Sequence, residues 1–237
     1  MFRFPDSAQA AEACAKHILE KLESAVAREN QATLAISGGS SPRLMFDIFA
    51  KTQFAWDRVQ LFWVDERGVP PADSQSNFKL AEDTWLSPAN FPAANIHRIP
   101  AELSPDVAAD LYREDIRHTF KLTGHEMPRF DVIHRGMGPD CHTASLFPGE
   151  PMIDDREGLA AALWVEKFKQ WRITLLPGPL LAAHHTVMLV TGGDKADALQ
   201  AALHGPHDPK RYPAQLAARD GCDVAWFVDE AAASGLP

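Results

Sequence analysis

The chemically richest part of the sequence is segment 136–149, where Gly136, Gly138 and Gly149 are interleaved with Asp140, Cys141, His142, Thr143 and Ser145. A carboxylate two residues before a histidine can hold one ring nitrogen and fix the tautomer, which leaves the other nitrogen as a general base. Phe130, Asp131, Val132 and Ile133 precede the segment and read as a buried strand, and the glycines let the backbone turn where that strand ends. Ligands of open α/β sheets bind at such strand ends. The plainer alternative is a glycine turn with two solvated polar residues. A dinucleotide fingerprint does not fit, because Cys141 stands where the third glycine should be and Pro148 interrupts the helix that would receive a pyrophosphate. Ser145 lacks the glycine context of a nucleophile elbow.

A second chemical stretch is Ser37, Gly38, Gly39, Ser40 and Ser41, which follows the apolar run Ala32 to Ile36 and precedes Pro42 and Arg43. Strand, glycine loop and a helix opening at Pro42 would aim free backbone N–H groups at an anion such as a phosphate. A plain strand-to-helix turn is the alternative. Asp65, Glu66 and Arg67 appear abruptly after the apolar run 59–64, as either a solvated turn or a site. Arg67 suits bidentate contact with a phosphate or carboxylate-like group. Lys195 falls in the first turn of a helix expected over 194–204, against the helix dipole, which suggests an offsetting anion. The acidic run 154–157 and the group His204, His207 and Asp208 lack metal-ligand spacing, so no metal site is expected.

The elements that must position these residues alternate between strand and helix. Asp6 begins a capping box, and Cys14, Ile18, Leu22 and Val26 then mark an amphipathic helix to about residue 30. Further helices are expected over 42–51 and 77–86, and from Ser104 with Val107, Leu111, Ile116 and Phe120 on its apolar face. Strands are expected at 59–64, 96–100, 171–175, 186–190 and 224–228, with a last helix opening at 229–232. This alternation predicts an α/β fold: a three-layer, Rossmann-like single domain over 1–237, with a mostly parallel sheet covered on both faces.

Composition agrees with a soluble globular protein: 46% hydrophobic and 23% charged residues. A net charge of -9 with no basic run opposes nucleic acid and anionic membranes as partners. Cys14, Cys141 and Cys222 are widely separated and in no C-x-x-C pair, which fits a reducing compartment. No secretory leader or run of ~18 apolar residues is present, so a cytoplasmic protein is expected.

Segment 136–148 resembles the signature of the 6-phosphogluconolactonases, G-M-G-x-D-G-H-T-A-S-L-F-P, with Cys141 in place of a glycine and His134 and Arg135 before it where that family is apolar. Loop 37–42 is similar to the S-G-G-S-T-P loop that holds substrate phosphate in that family. Trp63, Asp65, Glu66, Arg67, Val69 and Pro70 match W-x-D-E-R-x-V-P, and Ser76 with Asn77 matches the S-N pair that follows. Arg172 to Leu175 match R-I-T-L, and Thr191, Gly192 and Lys195 match T-G-x-x-K. Gln215 replaces the serine of P-A-S-x-L. The related glucosamine-6-phosphate deaminases carry a glutamate where this chain has Phe147 and a tyrosine where it has Arg67.

The resemblance implies the sugar-phosphate isomerase and lactonase version of the α/β architecture. It also implies hydrolysis of 6-phosphoglucono-δ-lactone to 6-phosphogluconate in the oxidative pentose phosphate pathway, with no metal or organic cofactor. The implied partner is a small sugar-phosphate lactone, and a monomer or weak homodimer is expected. His142, oriented by Asp140 or Asp65, would be the base. Ser37, Gly38, Gly39, Ser40 and Ser41, helped by Arg43 or Arg67, would hold the phosphate. Lys195, Arg172 and backbone N–H groups would stabilise the oxyanion. The alternatives are a deaminase or isomerase of the same superfamily, and a non-catalytic sugar-phosphate sensor. The sensor reading follows if Cys141 sits at positive φ and displaces His142.

Overall fold

The structure, a computed structural model, describes every residue except Cys222, so the reading of that cysteine lies outside the described residues. The strands are β1 Phe2–Phe4, β2 Ala32–Ile36, β3 Val59–Trp63, β4 Asp65–Arg67, β5 Ile96–His97, β6 Val132–Arg135, β7 Ala160–Val165, β8 Gln170–Leu175, β9 His185–Val190 and β10 Val224–Asp229. The helices are α1 Ser7–Glu29, α2 Ser40–Lys51, α3 Asn77–Ala81, α4 Pro105–Thr119, α5 Pro177–Ala182, α6 Ala196–His204 and α7 Gln215–Ala218.

Seven strands form one sheet in the order β1-β10-β9-β6-β2-β3-β5, and every pairing within it is parallel. This is the α/β fold that the alternation predicts. The apolar stripe of α1 (Ala10, Cys14, Ile18, Leu22 and neighbours) is buried, and the helix packs on β10, β9 and β2. The Asp6 carboxylate accepts the Gln9 N–H at 2.8 Å to cap its start, and Asn30 at φ 60 closes its end.

The sequence reading did not foresee the second sheet, in which β4, β8 and β7 run antiparallel. Val64 joins the two. Its N–H donates to Ile36 O at 2.8 Å, extending the parallel ladder, and its carbonyl accepts the Leu175 N–H at 2.8 Å. Asp65, Glu66 and Arg67 are therefore a strand, and neither a solvated turn nor a continuation of β3.

Several boundaries differ from expectation. Helix α2 starts at Ser40 rather than Pro42, and a 3-10 turn over Gly193–Lys195 precedes α6, which begins at Ala196. The expected terminal helix is a 3-10 turn over Ala232–Gly235, and the 96–100 strand is only Ile96–His97. On α4 the buried residues are Ala108, Ala109, Tyr112 and Ile116, whereas Val107 and Leu111 are 45% and 42% exposed. Tyr112 decides that rotation: its hydroxyl donates to Trp63 O at 2.6 Å and accepts the Trp63 N–H at 3.1 Å, turning the small alanines inward.

His134 and Arg135 end the central strand β6 fully buried. Arg135 sits opposite Met188 in the β6–β9 register and shares its face with the cluster of Met137, Cys141 and Ala198. None of its guanidinium nitrogens, nor either ring nitrogen of His134, finds a hydrogen-bond partner among the described residues. Burial lowers the pKa of Arg135 to about 10 and that of His134 to about 3, which keeps the imidazole neutral. An unpartnered buried guanidinium is a net cost. Arg135→Leu is accordingly expected to raise the unfolding free energy by about 1–3 kcal/mol. Urea denaturation checks this, and an unchanged or lower midpoint would mean that the guanidinium is compensated.

Candidate active site

The backbone leaves β6 through Gly136 and folds residues 138–142 into a tight turn, closed by Gly138 N–H to His142 O and Cys141 N–H to Gly138 O, both 2.9 Å. Cys141 occupies the left-handed region at φ 68. His142 is nevertheless not displaced, and its ring lines the main cavity. The thiol is buried near Ala198 O at 3.5 Å, and burial pushes its pKa up to about 11, so it is an inert packing group.

Asp140 Oδ1 lies 2.5 Å from His142 Nδ1. A carboxylate can only accept, so Nδ1 carries a proton, and in the neutral ring the lone pair is on Nε2. Burial alone would raise the pKa of Asp140, but hydrogen bonds from His142 and from Lys167 Nζ (2.9 Å to Oδ2) outweigh it and hold the carboxyl well below the usual range. The Phe147 ring lies against the other side of the imidazole, at 4.4 Å between centroids. Where a side chain at residue 138 would project, the His142 ring is already present: a Cβ there would stand 2.0 Å from Cε1.

Across the cavity, Ser37 and the loop to Ser41 lead into α2. Gly39 has φ 123, which only glycine adopts freely, and it is the N-cap of α2, whose first N–H groups have no partner within the helix. Among the described residues the buried Ser37 hydroxyl, which lines the cavity, has no hydrogen-bond partner. Gly38 packs against the Asn77 amide, whose Nδ2 donates to Asp65 O at 2.8 Å. Ser41 Oγ is 2.6 Å from Thr191 Oγ1, which ties the end of β9 to this loop. Gly192 N–H donates to the Asp229 carboxylate at 3.0 Å, so the end of β10 fixes the turn that presents Lys195.

Strand β4 supplies a third wall. Asp65 does not orient His142; its Oδ2 accepts the Ser145 hydroxyl at 2.7 Å. Glu66 turns away to accept Ser76 Oγ and the N–H groups of Arg67, Asn77 and Phe78, capping α3, and burial still raises its pKa. Arg67 pairs in register with Arg172. Two guanidinium side chains held side by side across a strand pair repel unless an anion lies between or beside them.

The cavity has a volume of about 560 Å³, and Ser37, Gly38, Gly39, Ser40, Ser41, Asp65, Arg67, His142 and Lys195 all line it. Three expected site residues stand elsewhere. Asp140 is behind His142. Arg43 faces solvent on the first turn of α2, since the helix starts earlier than expected. Arg172 is withdrawn beneath Phe168, its guanidinium 5.4 Å from that ring. The sequence reading missed Ser7, which lines the cavity from the start of α1, and Lys167, which no local pattern singles out because a hairpin brings it to Asp140. The His204, His207 and Asp208 group is not a cluster: His207 pairs with Asp220, and Asp208 N–H bonds Gln215.

A hydroxyl- and amide-lined loop facing a carboxylate-backed histidine, at the carboxyl ends of parallel strands, defines an α/β protein that binds a small anionic ligand. The family model for glucosamine-6-phosphate isomerases/6-phosphogluconolactonase matches residues 5–226, and the chain belongs to that family. It is 34% identical over 220 residues to a 6-phosphogluconolactonase of Nostoc sp., covering 92% of this chain and 90% of the relative. It is 35% identical over 206 residues to a 6-phosphogluconolactonase of Haemophilus influenzae, covering 84% and 85%. A crystal structure of a 6-phosphogluconolactonase from Shewanella baltica superposes with a TM-score of 0.83 at 27% identity, over 96% of each chain. A monomeric glucosamine-6-phosphate deaminase shares the fold at a TM-score of 0.82 and 15% identity, over 99% of this chain and 98% of that one.

Gly138→Ala tests the packing of the base. The new methyl must displace the imidazole, so kcat is expected to fall about 100-fold or more, as for a misplaced catalytic group. Far-UV circular dichroism should stay unchanged. Retention of near-normal turnover would show that the ring does not need this position.

Proposed function

We propose that the chain hydrolyses 6-phosphoglucono-δ-lactone to 6-phosphogluconate, the lactone-opening step of the oxidative pentose phosphate pathway, through His142. The named relatives support the reaction. The observation that carries the residue roles is the Asp140-backed imidazole, which keeps Nε2 free in the cavity that also holds the Ser37 hydroxyl and the start of α2.

The phosphate binds at residues 37–41, and Lys195 assists because the Ser41 to Thr191 contact ties its turn to that loop. Arg67 stands on the His142 side, since Ser145 ties β4 to the histidine segment, and it faces the lactone carbonyl. Binding the distant phosphate positions the reacting carbon. Nε2 of His142 takes a proton from water as the water oxygen bonds to the carbonyl carbon, and Arg67 with neighbouring N–H groups stabilises the oxyanion. Collapse of this intermediate breaks the bond to the ring oxygen. That oxygen takes the proton back from His142, and the new carboxylic acid ionises to leave 6-phosphogluconate and a proton. Asp140 stabilises the transient imidazolium.

Phe147 argues against a deaminase, since its ring occupies the place of the carboxylate expected there. The protein acts as a single domain over 1–237, as a monomer or weak homodimer, in the cytoplasm with its soluble substrate. No helix among the described residues is long and apolar enough to cross a membrane.

Freshly generated lactone, assayed at slightly acid pH to suppress spontaneous opening, tests this reading. His142→Ala should lower kcat by about 10²- to 10⁴-fold, as expected for loss of a general base, with binding of 6-phosphogluconate retained. Wild-type protein that binds 6-phosphogluconate yet shows no rate above background would instead be a sensor.

A further inference from the structure

The β7–β8 hairpin is outside the cavity, yet its tip reaches the catalytic histidine from two directions. A 3-10 turn over Glu166–Phe168 and the left-handed Lys169 form the tip. Glu166 is occupied by Lys169 and by Trp164 Nε1, which leaves Lys167 free to point elsewhere. Its ammonium lies 2.9 Å from Asp140 Oδ2, while Oδ1 of the same carboxylate holds His142 Nδ1. Phe168 packs edge-on against Phe147 at 5.7 Å, and Phe147 lies against the imidazole.

We infer that the tip of this hairpin is a positioning clamp for the base, in which Lys167 fixes and partly neutralises Asp140 while Phe168 presses Phe147 onto the His142 ring. The inference rests on the proposed role of His142 and deepens it. With both carboxylate oxygens engaged, Asp140 cannot rotate about its side-chain bonds, so the ring plane is set from one edge by a hydrogen bond and from one face by an aromatic. A lysine at this distance also decides how strongly the carboxylate favours the protonated imidazole. Without the ammonium, Asp140 would hold the imidazolium more tightly, and less acid would suffice to protonate the ring. The sign is fixed: removing Lys167 moves the acid limb of kcat/KM to higher pH.

The other charged groups around the ring leave that sign unchanged. Asp65 is tied to Ser145, Lys195 is paired with Asp194, Arg67 donates to the Gln75 carbonyl, and Arg172 stands behind Phe168. The Cys141 thiol is buried and neutral.

Lys167→Met keeps an unbranched chain one atom shorter and removes the charge. Its acid limb should rise by about 0.3–0.6 pH unit, the size expected for a half-exposed charge one carboxylate away. Its kcat should fall about 3- to 10-fold through looser positioning, with KM within about twofold of wild type. Lys167→Arg should restore the acid limb. Phe168→Ala, which removes the ring that packs on Phe147, should lower kcat. The ring resonance of His142, followed by NMR across pH without turnover, should move in Lys167→Met as the kinetic limb does. A Lys167→Met profile and ring titration superimposable on wild type would overturn the clamp. His142→Ala run in parallel separates the two readings: if it retains activity, the base assignment fails and the clamp falls with it.

Discussion

The imidazole of His142 rests on the bare Cα of Gly138, and the rest of the catalytic segment is shaped by that contact. For a side chain to fold back onto the backbone only a few residues earlier, the chain must turn tightly, and the two hydrogen bonds across 138–142 make that turn. Such a turn needs a left-handed residue before His142, and Cys141 takes it at φ 68. A non-glycine residue there costs about 1–2 kcal/mol. Burial of its thiol among Met137, Ala198 and their neighbours offsets that cost, because the side chain removed from water is apolar in effect. Strain at 141 and the position of His142 are therefore one arrangement, and the cysteine serves it without displacing the base.

The second constraint is the change of sheet at Val64. One residue bonds both ladders, so β4 must leave the parallel sheet at the level where β2 ends in Ser37. That places Asp65 and Arg67 beside the anion loop, and Glu66 points backward into α3, where hydrogen-bond donors from four residues satisfy a buried carboxylate. Acidic and basic neighbours in sequence thus point opposite ways, Glu66 into the scaffold and Arg67 to the cavity lining.

Features carried by local pattern were legible in the sequence. The capping residue Asp6, the stripe of α1, the strand-loop-helix around Gly39 and the Asp140 to His142 spacing each encode their geometry within a few residues. Pairings between distant segments were not. The sheet of β4, β8 and β7 depends on register across about a hundred residues of chain, which no periodicity in 65–67 reveals. Arg43 and Arg172 were expected in the cavity because they are cationic and lie next to the right motifs. A helix start two residues early turns Arg43 outward, and an aromatic face draws Arg172 under Phe168. Val107 and Leu111 looked like core because they are apolar, but Tyr112 has polar partners at Trp63 that only the folded chain supplies. Lys167 was invisible for the same reason.

On the proposed role of His142, the environment of that one imidazole would separate hydrolysis from deaminase chemistry on the same fold. Asp140 already supplies a carboxylate to Nδ1, and Lys167 keeps that carboxylate anionic without leaving its charge uncompensated. A second carboxylate at residue 147, where deaminases carry glutamate, would place another negative charge against the ring face and favour imidazolium, which cannot accept a proton from water. Phe147 puts an apolar surface there instead, lying at 31° to the ring. The aromatic covers one side of the imidazole of a residue that lines the cavity. The proposed lactone opening calls for a neutral base facing the attacking water, and on that proposal the side chain at 147 matters as well as the histidine itself.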